Sequence, residues 1–139
     1  MIISKAKMQI NAKIEEVWEV VTNNKEYFWR KDLSKIEILD EKHFVEYTKN
    51  NFLTKFEIIK KEQFKNYECI LENDNIKGIF RLYLEKMEDN KVMIELVEEI
   101  EIKNNIVIQL FAKPYLKNHQ KKYLQHLNKK LSGENKKRK

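Results

Sequence analysis

The chain has little cysteine, proline, glycine or arginine. It holds one cysteine, one proline and two glycines in 139 residues. Cys69 has no second cysteine to pair with, so no internal disulfide staples the chain, which agrees with a reducing compartment. Its alternation with Tyr67 and Leu71 marks it as a packed strand residue. Gly78 and Gly133 cannot build a glycine-rich phosphate loop, which excludes a nucleotide site of the common types. No apolar run approaches the roughly twenty residues a membrane span needs. The start, Met1-Ile2-Ile3-Ser4-Lys5, lacks a charged segment leading into a long apolar core, so no secretory leader is expected and the protein is placed in the cytoplasm. Arginine occurs only at Arg30, Arg81 and Arg138, and lysine carries nearly all the positive charge. Base and phosphate recognition favours the arginine fork, and here the lysines are scattered among glutamates. The net charge of +6 therefore reads as a solvated surface with no specific nucleic-acid partner. The histidines lack paired ligand spacing, so neither a metal nor another cofactor is expected.

Hydrophobic residues make up 42% and charged residues 36%, a balance suited to one globular domain with a charged exterior. Residues 1–131 are assigned to that domain and 132–139 to a basic, disordered tail. Ile2, Ser4, Ala6, Met8 and Ile10 alternate with polar residues as a half-buried strand. Asn11 supplies a helix cap, and Ile14, Val17, Trp18 and Val21 form the stripe of an amphipathic helix ending at Asn23-Asn24. A short helical turn is expected around Lys25 to Phe28. The period then changes from 3.6 to 2. Strands are expected over 34–40, 43–48, 52–61, 66–72, 76–87 and 92–102, separated by short polar turns that permit only antiparallel neighbours. A long helix over 106–131 closes the chain. Its first half is apolar on nearly every side. Its second half places Leu116, Tyr123, Leu124, Leu127 and Leu131 opposite lysines, and Pro114 is expected to kink it between the two.

This order predicts an α+β fold in which a seven-stranded antiparallel sheet curves around the carboxy-terminal helix, in the order β-α-α-β-β-β-β-β-β-α. It resembles the helix-grip layout of the START-like or Bet v 1-like (SRPBCC) superfamily, particularly its polyketide cyclase/dehydrase-like members. The stretch Ile10-Asn11-Ala12-Lys13-Ile14-Glu15-Glu16-Val17-Trp18 resembles that group's usual opening, and Trp29 resembles the tryptophan that follows its second short helix. Lys13 stands where the group commonly has proline, and Asn23 or Asn24 where aspartate is common.

In the last strand Val92, Ile94, Leu96, Glu98, Ile100 and Ile102 share a face, and Glu98 interrupts an otherwise apolar row. A carboxyl facing an enclosed apolar space has its pKa raised and is a functional candidate. The alternative is a bulge at Val97 that returns Glu98 to water. On the strand before, Phe80, Leu82 and Leu84 form the inner row; a reversed register would bring Arg81 and Tyr83 inward instead, to meet an acidic ligand. Tyr47, Phe56, Ile58 and Tyr67 are further lining candidates. On the final helix His119 shares a stripe with Leu116, Tyr115 and Tyr123 and is the histidine placed toward the cavity. His43 is expected at the surface and His126 beside lysines. Glu98 and His119 are the weak catalytic candidates. Trp29, Ile94 and Leu96 complete the expected lining.

The default reading is a binding protein that encloses a small hydrophobic or amphiphilic molecule, lipids included, between sheet and helix, as a monomer or weak homodimer. Such a protein needs only the cavity and no catalysis. The resemblance implies two others. One is a cyclase/aromatase-like enzyme using the same cavity; the other is a co-chaperone-like interaction module marked by a broad apolar patch outside it.

Overall fold

The computed structural model describes residues 1–103 and 106–137, with side chains described outside 106–110 and 133–137. β1 (Ile2–Ile10) leads into α1 (Ile14–Thr22). Six strands follow: β2 (Leu33–Ile38), β3 (His43–Thr48), β4 (Leu53–Glu62), β5 (Asn66–Glu72), β6 (Ile76–Glu88) and β7 (Lys91–Ile102). α2 (Ile106–Lys137) ends the described chain. One antiparallel sheet of seven strands results, in the order β1-β7-β6-β5-β4-β3-β2, so the meander closes by bringing β7 back beside β1. Register shifts in β2, β4 and β6 add local bends to the natural twist, and the sheet curls toward α2.

Alternation decides what fills the concave side. β7 buries Val92, Ile94, Leu96, Glu98 and Ile100 on one face, and β1 beside it buries Ser4, Ala6 and Ile10. α1 adds Val17, Trp18 and Val21, the stripe its sequence period predicts. α2 packs mainly against β1, with further contacts to α1 and β7. Its Leu124, Leu127 and Leu131 are almost fully enclosed, and burying each such side chain stabilises the fold by about 1.5–3 kcal/mol. A reciprocal pair pins helix to edge strand: Ser4 Oγ donates to Gln120 Oε1 at 2.8 Å, and Gln120 Nε2 donates to the Ser4 carbonyl at 3.0 Å. Since α2 leans on the β1 side, the opposite side of the concave face is left for other groups to cover.

Several boundaries differ from those the sequence suggests. Lys13 rather than Asn11 caps α1, and it makes no side-chain capping bond; residues 11–13 are used to turn the chain out of β1, whose last residue Ile10 is fully buried. Around Lys25 to Phe28 the chain forms successive turns closed by bonds such as Glu26 N to the Asn23 carbonyl and Arg30 N to the Tyr27 carbonyl. α2 continues to Lys137, six residues beyond Leu131. The same helix passes Pro114 as one element. The expected burial of its apolar start falls, for residues 106–110, outside the described side chains, and Phe111 is 67% exposed.

Candidate functional site

A cavity lies between the concave face and α2. Its floor is the inner rows of β2 to β7, its roof is α2, and its rim is α1 with the turns that follow it. The cavity has a volume of about 70 Å³. A second cavity of about 250 Å³ adjoins it toward the β5–β6 turn, and Glu46, Phe56, Glu98 and His119 belong to the walls of both.

Most of the first wall is aromatic. Phe44 and Phe56 stack with centroids 4.9 Å apart, and Tyr123 meets Trp29 and Phe80 edge-on at 5.2 and 6.1 Å. Tyr67 reaches in from β5 and accepts a bond from Asn24 Nδ2 at 3.5 Å. Its neighbour Cys69 is buried, and that burial pushes the thiol up to about 12, relieved in part by the bond from Tyr67. At neutral pH it is an inert thiol rather than a nucleophile.

The polar groups gather around Arg30. Its Nε and Nη2 donate to Asp32 at 3.1 and 3.0 Å, and its Nη1 and Nη2 donate to Glu46 at 3.3 and 3.4 Å. The guanidinium lies 4.9 Å from the Tyr123 ring centroid and 5.8 Å from that of Trp29. Burial opposes its charge, but the two carboxylates more than compensate and raise its pKa further. Asp32 also faces α2, with His119 Nε2 at 3.5 Å and His126 Nδ1 at 4.0 Å. Burial disfavours the Asp32 charge, yet hydrogen bonds from His119 and Arg30 outweigh it and hold the carboxyl well below the usual range. His126 Nδ1 is buried without a hydrogen-bond partner, and burial lowers the pKa of its ring.

Glu98 stands apart from this neutralised group. It is 8% exposed and faces the cavity. β7 pairs with β1 residue by residue from Val92 to Ile100, so no bulge at Val97 turns it outward. Burial pushes its carboxyl above the ordinary range. His119, a bond from Gln120 and Arg30 offset part of this, while Glu46 adds to it.

Of the residues expected to line the site, Trp29, Phe56, Tyr67, Phe80, Leu96, Glu98 and His119 line the first cavity, and Leu116 lines the second. Leu82 and Ile94 lie in the packed core, with Ile58 against it. Tyr47 is on the other face of the sheet, where its hydroxyl donates to Glu37 at 3.1 Å and Lys35 Nζ sits 4.5 Å from its ring. The inward residues of β3 are its neighbours, Phe44 and Glu46. Arg81 is on the outer face as well, paired with Glu68 and Glu99, so the reversed register is not used. His43 is exposed beside Asp40, and His126 turns to Asp32 rather than out among lysines. Arg30, Asp32 and Glu46 escape a reading of the sequence. The available signal was arginine's rarity, combined with an acid two positions on.

No protein-family model and no curated protein sequence matches the chain. Solved structures do. A conserved protein from Geobacillus kaustophilus superposes with a TM-score of 0.83 at 10% identity, over 95% of this chain and 96% of its own. A START superfamily protein from Mycobacterium smegmatis gives 0.77 at 14%, over 99% of both chains. A protein of the dynemicin biosynthetic locus gives 0.73 at 13%, over 94% of this chain and 47% of its own. The fold is therefore START-like: the helix-grip arrangement, with strands and long helix in the expected order. Among the described residues no helix is long and apolar enough to cross a membrane, and no three His, Cys, Asp or Glu side chains are placed to hold a metal ion.

Proposed function

We propose that the protein binds a compact, mostly apolar small molecule in the adjoining cavities between the curved sheet and α2. One observation carries this reading. Aromatic rings surround open space that the fold leaves unfilled, and an enclosed carboxyl points into it without a salt bridge of its own among the described residues. Mostly apolar walls with a few placed polar groups are the usual form of a ligand site. Size narrows the class. Spaces of about 70 and 250 Å³ together reach only the lower end of the roughly 300–1,000 Å³ typical of ligand pockets. A molecule of one or two rings suits that space better than a long-chain lipid.

A second reading, a cyclase-like reaction in the same cavity, is favoured by Glu98 and His119 sharing its wall, an acid and an imidazole within one enclosed space. The likeness to a protein of the dynemicin locus is compatible with either. Native mass spectrometry of the purified protein, before and after addition of a small-molecule collection, tests the primary reading. The expected result is a one-to-one adduct that is weakened in Phe80→Trp, where a larger ring occupies the space. No adduct with any compound, together with no shift in melting temperature, would sink the proposal. Recovery of the bound compound chemically changed would select the enzyme.

A further inference from the structure

The charges around the cavities differ in sign from those of the whole molecule. The chain carries 28 lysines and arginines and a net +6, yet among the described residues no lysine lines either cavity. Glu46 and Glu98 face both spaces and Asp32 faces the larger. Arg30 is the one permanent cation among these linings, and four hydrogen bonds commit it to Asp32 and Glu46. His119, which lines both spaces, is likewise turned to Asp32 at 3.5 Å. An incoming carboxylate or phosphate would have to displace an acid from Arg30 or from His119, so the site offers an anion no uncommitted cation among the described residues.

It also has what a cation needs. Phe56 is common to both cavities, with Phe44 stacked upon it and Phe80 and Trp29 nearby. The negative face of an aromatic ring attracts an ammonium, most strongly where water is excluded. The carboxylates do not converge on a metal-binding point among the described residues, so the spread of acids and rings fits an organic cation.

We propose that the ligand is a protonated amine on a small ring, its ammonium held by Glu98 and Glu46 where the two cavities meet and its ring lying against Phe56 and Phe80. This rests on the ligand-binding reading above and names its ligand class. Burial favours the neutral form of Glu98 in the empty cavity, and an ammonium beside it favours the charged form.

Three probes of one shape separate the possibilities: phenethylamine, 2-phenylethanol and 3-phenylpropionate, titrated calorimetrically into the full chain. Phenethylamine should bind about tenfold more tightly than the alcohol, with the acid weakest of the three. Glu98→Gln should remove most of the amine's advantage over the alcohol. If the acid binds as well as the amine, or if Glu98→Gln leaves the amine-to-alcohol ratio unchanged, the assignment is overturned. If none of the three binds while native spectra show some other retained molecule, the amine falls and the ligand-binding reading survives. If nothing binds and no mass is retained, both fall together.

Discussion

Arg30 occupies a position where a charge can be kept only because its partners are kept with it. The side chain is buried and is held by two carboxylates. Taking both ions of such a pair out of water costs several kcal/mol, so the group is weak evidence for stability as a whole, but losing one member is costly. Arg30→Met should destabilise the protein by about 3–5 kcal/mol in urea unfolding, because Asp32 and Glu46 would be left enclosed without their cation. Arg30→Lys should recover only part of that, since an ammonium cannot fork to both carboxylates. These residues were hard to read in advance for a physical reason. Arg30 and Asp32 lie in turns, which have no period to say which way a side chain points. In β3 the inward Glu46 is flanked by the more apolar Val45 and Tyr47, so polarity pointed to the wrong face. Glu98 was legible because five apolar residues on its own strand share its parity and show where the interior lies.

At the scale of the element, the strands were read almost to the residue and the connections less well. Period-2 patterns and polar turns are local properties, whereas the start of α1 and the course of the turns after it depend on what they must cover. Gly78 in β6 shows a constraint that no local pattern displays. It sits opposite Ile100 of β7, and a Cβ there would collide with the backbone carbonyl of Glu99. Gly78→Ala should therefore cost on the order of 1–3 kcal/mol as the two strands are forced apart. Chemical denaturation would show this as a lower midpoint with unchanged slope. An unchanged midpoint would mean that β6 and β7 can separate locally without loss.

For the whole molecule, the two unusual carboxyls tie stability to pH in opposite senses. Asp32 is held more acidic in the folded state than in the unfolded chain, so its contribution is fully present above the unfolded value of about 3.9 and is lost as pH falls below it. Glu98 is held less acidic when folded. Its burial therefore opposes folding as pH rises above the unfolded value of about 4.3, and the penalty fades as pH falls toward that value. Thermal melts across pH 2 to 8 should show Asp32→Asn flattening the acid limb below about pH 3.9, and Glu98→Gln raising the midpoint at neutral pH with little effect near pH 4. A Glu98→Gln curve parallel to the wild type would mean that this carboxyl is solvated in the folded protein. The unbroken pairing of β7 with β1 has one more consequence. Between Val92 and Ile100 a single insertion before Glu98, unless a bulge absorbs it, would swap inside for outside along the row and turn the carboxylate toward bulk solvent, whereas an insertion of two would keep it inward. The β6–β7 hairpin tip carries no such parity rule, so changes of chain length in a working variant of this protein belong at Asp89-Asn90 and not in the strand.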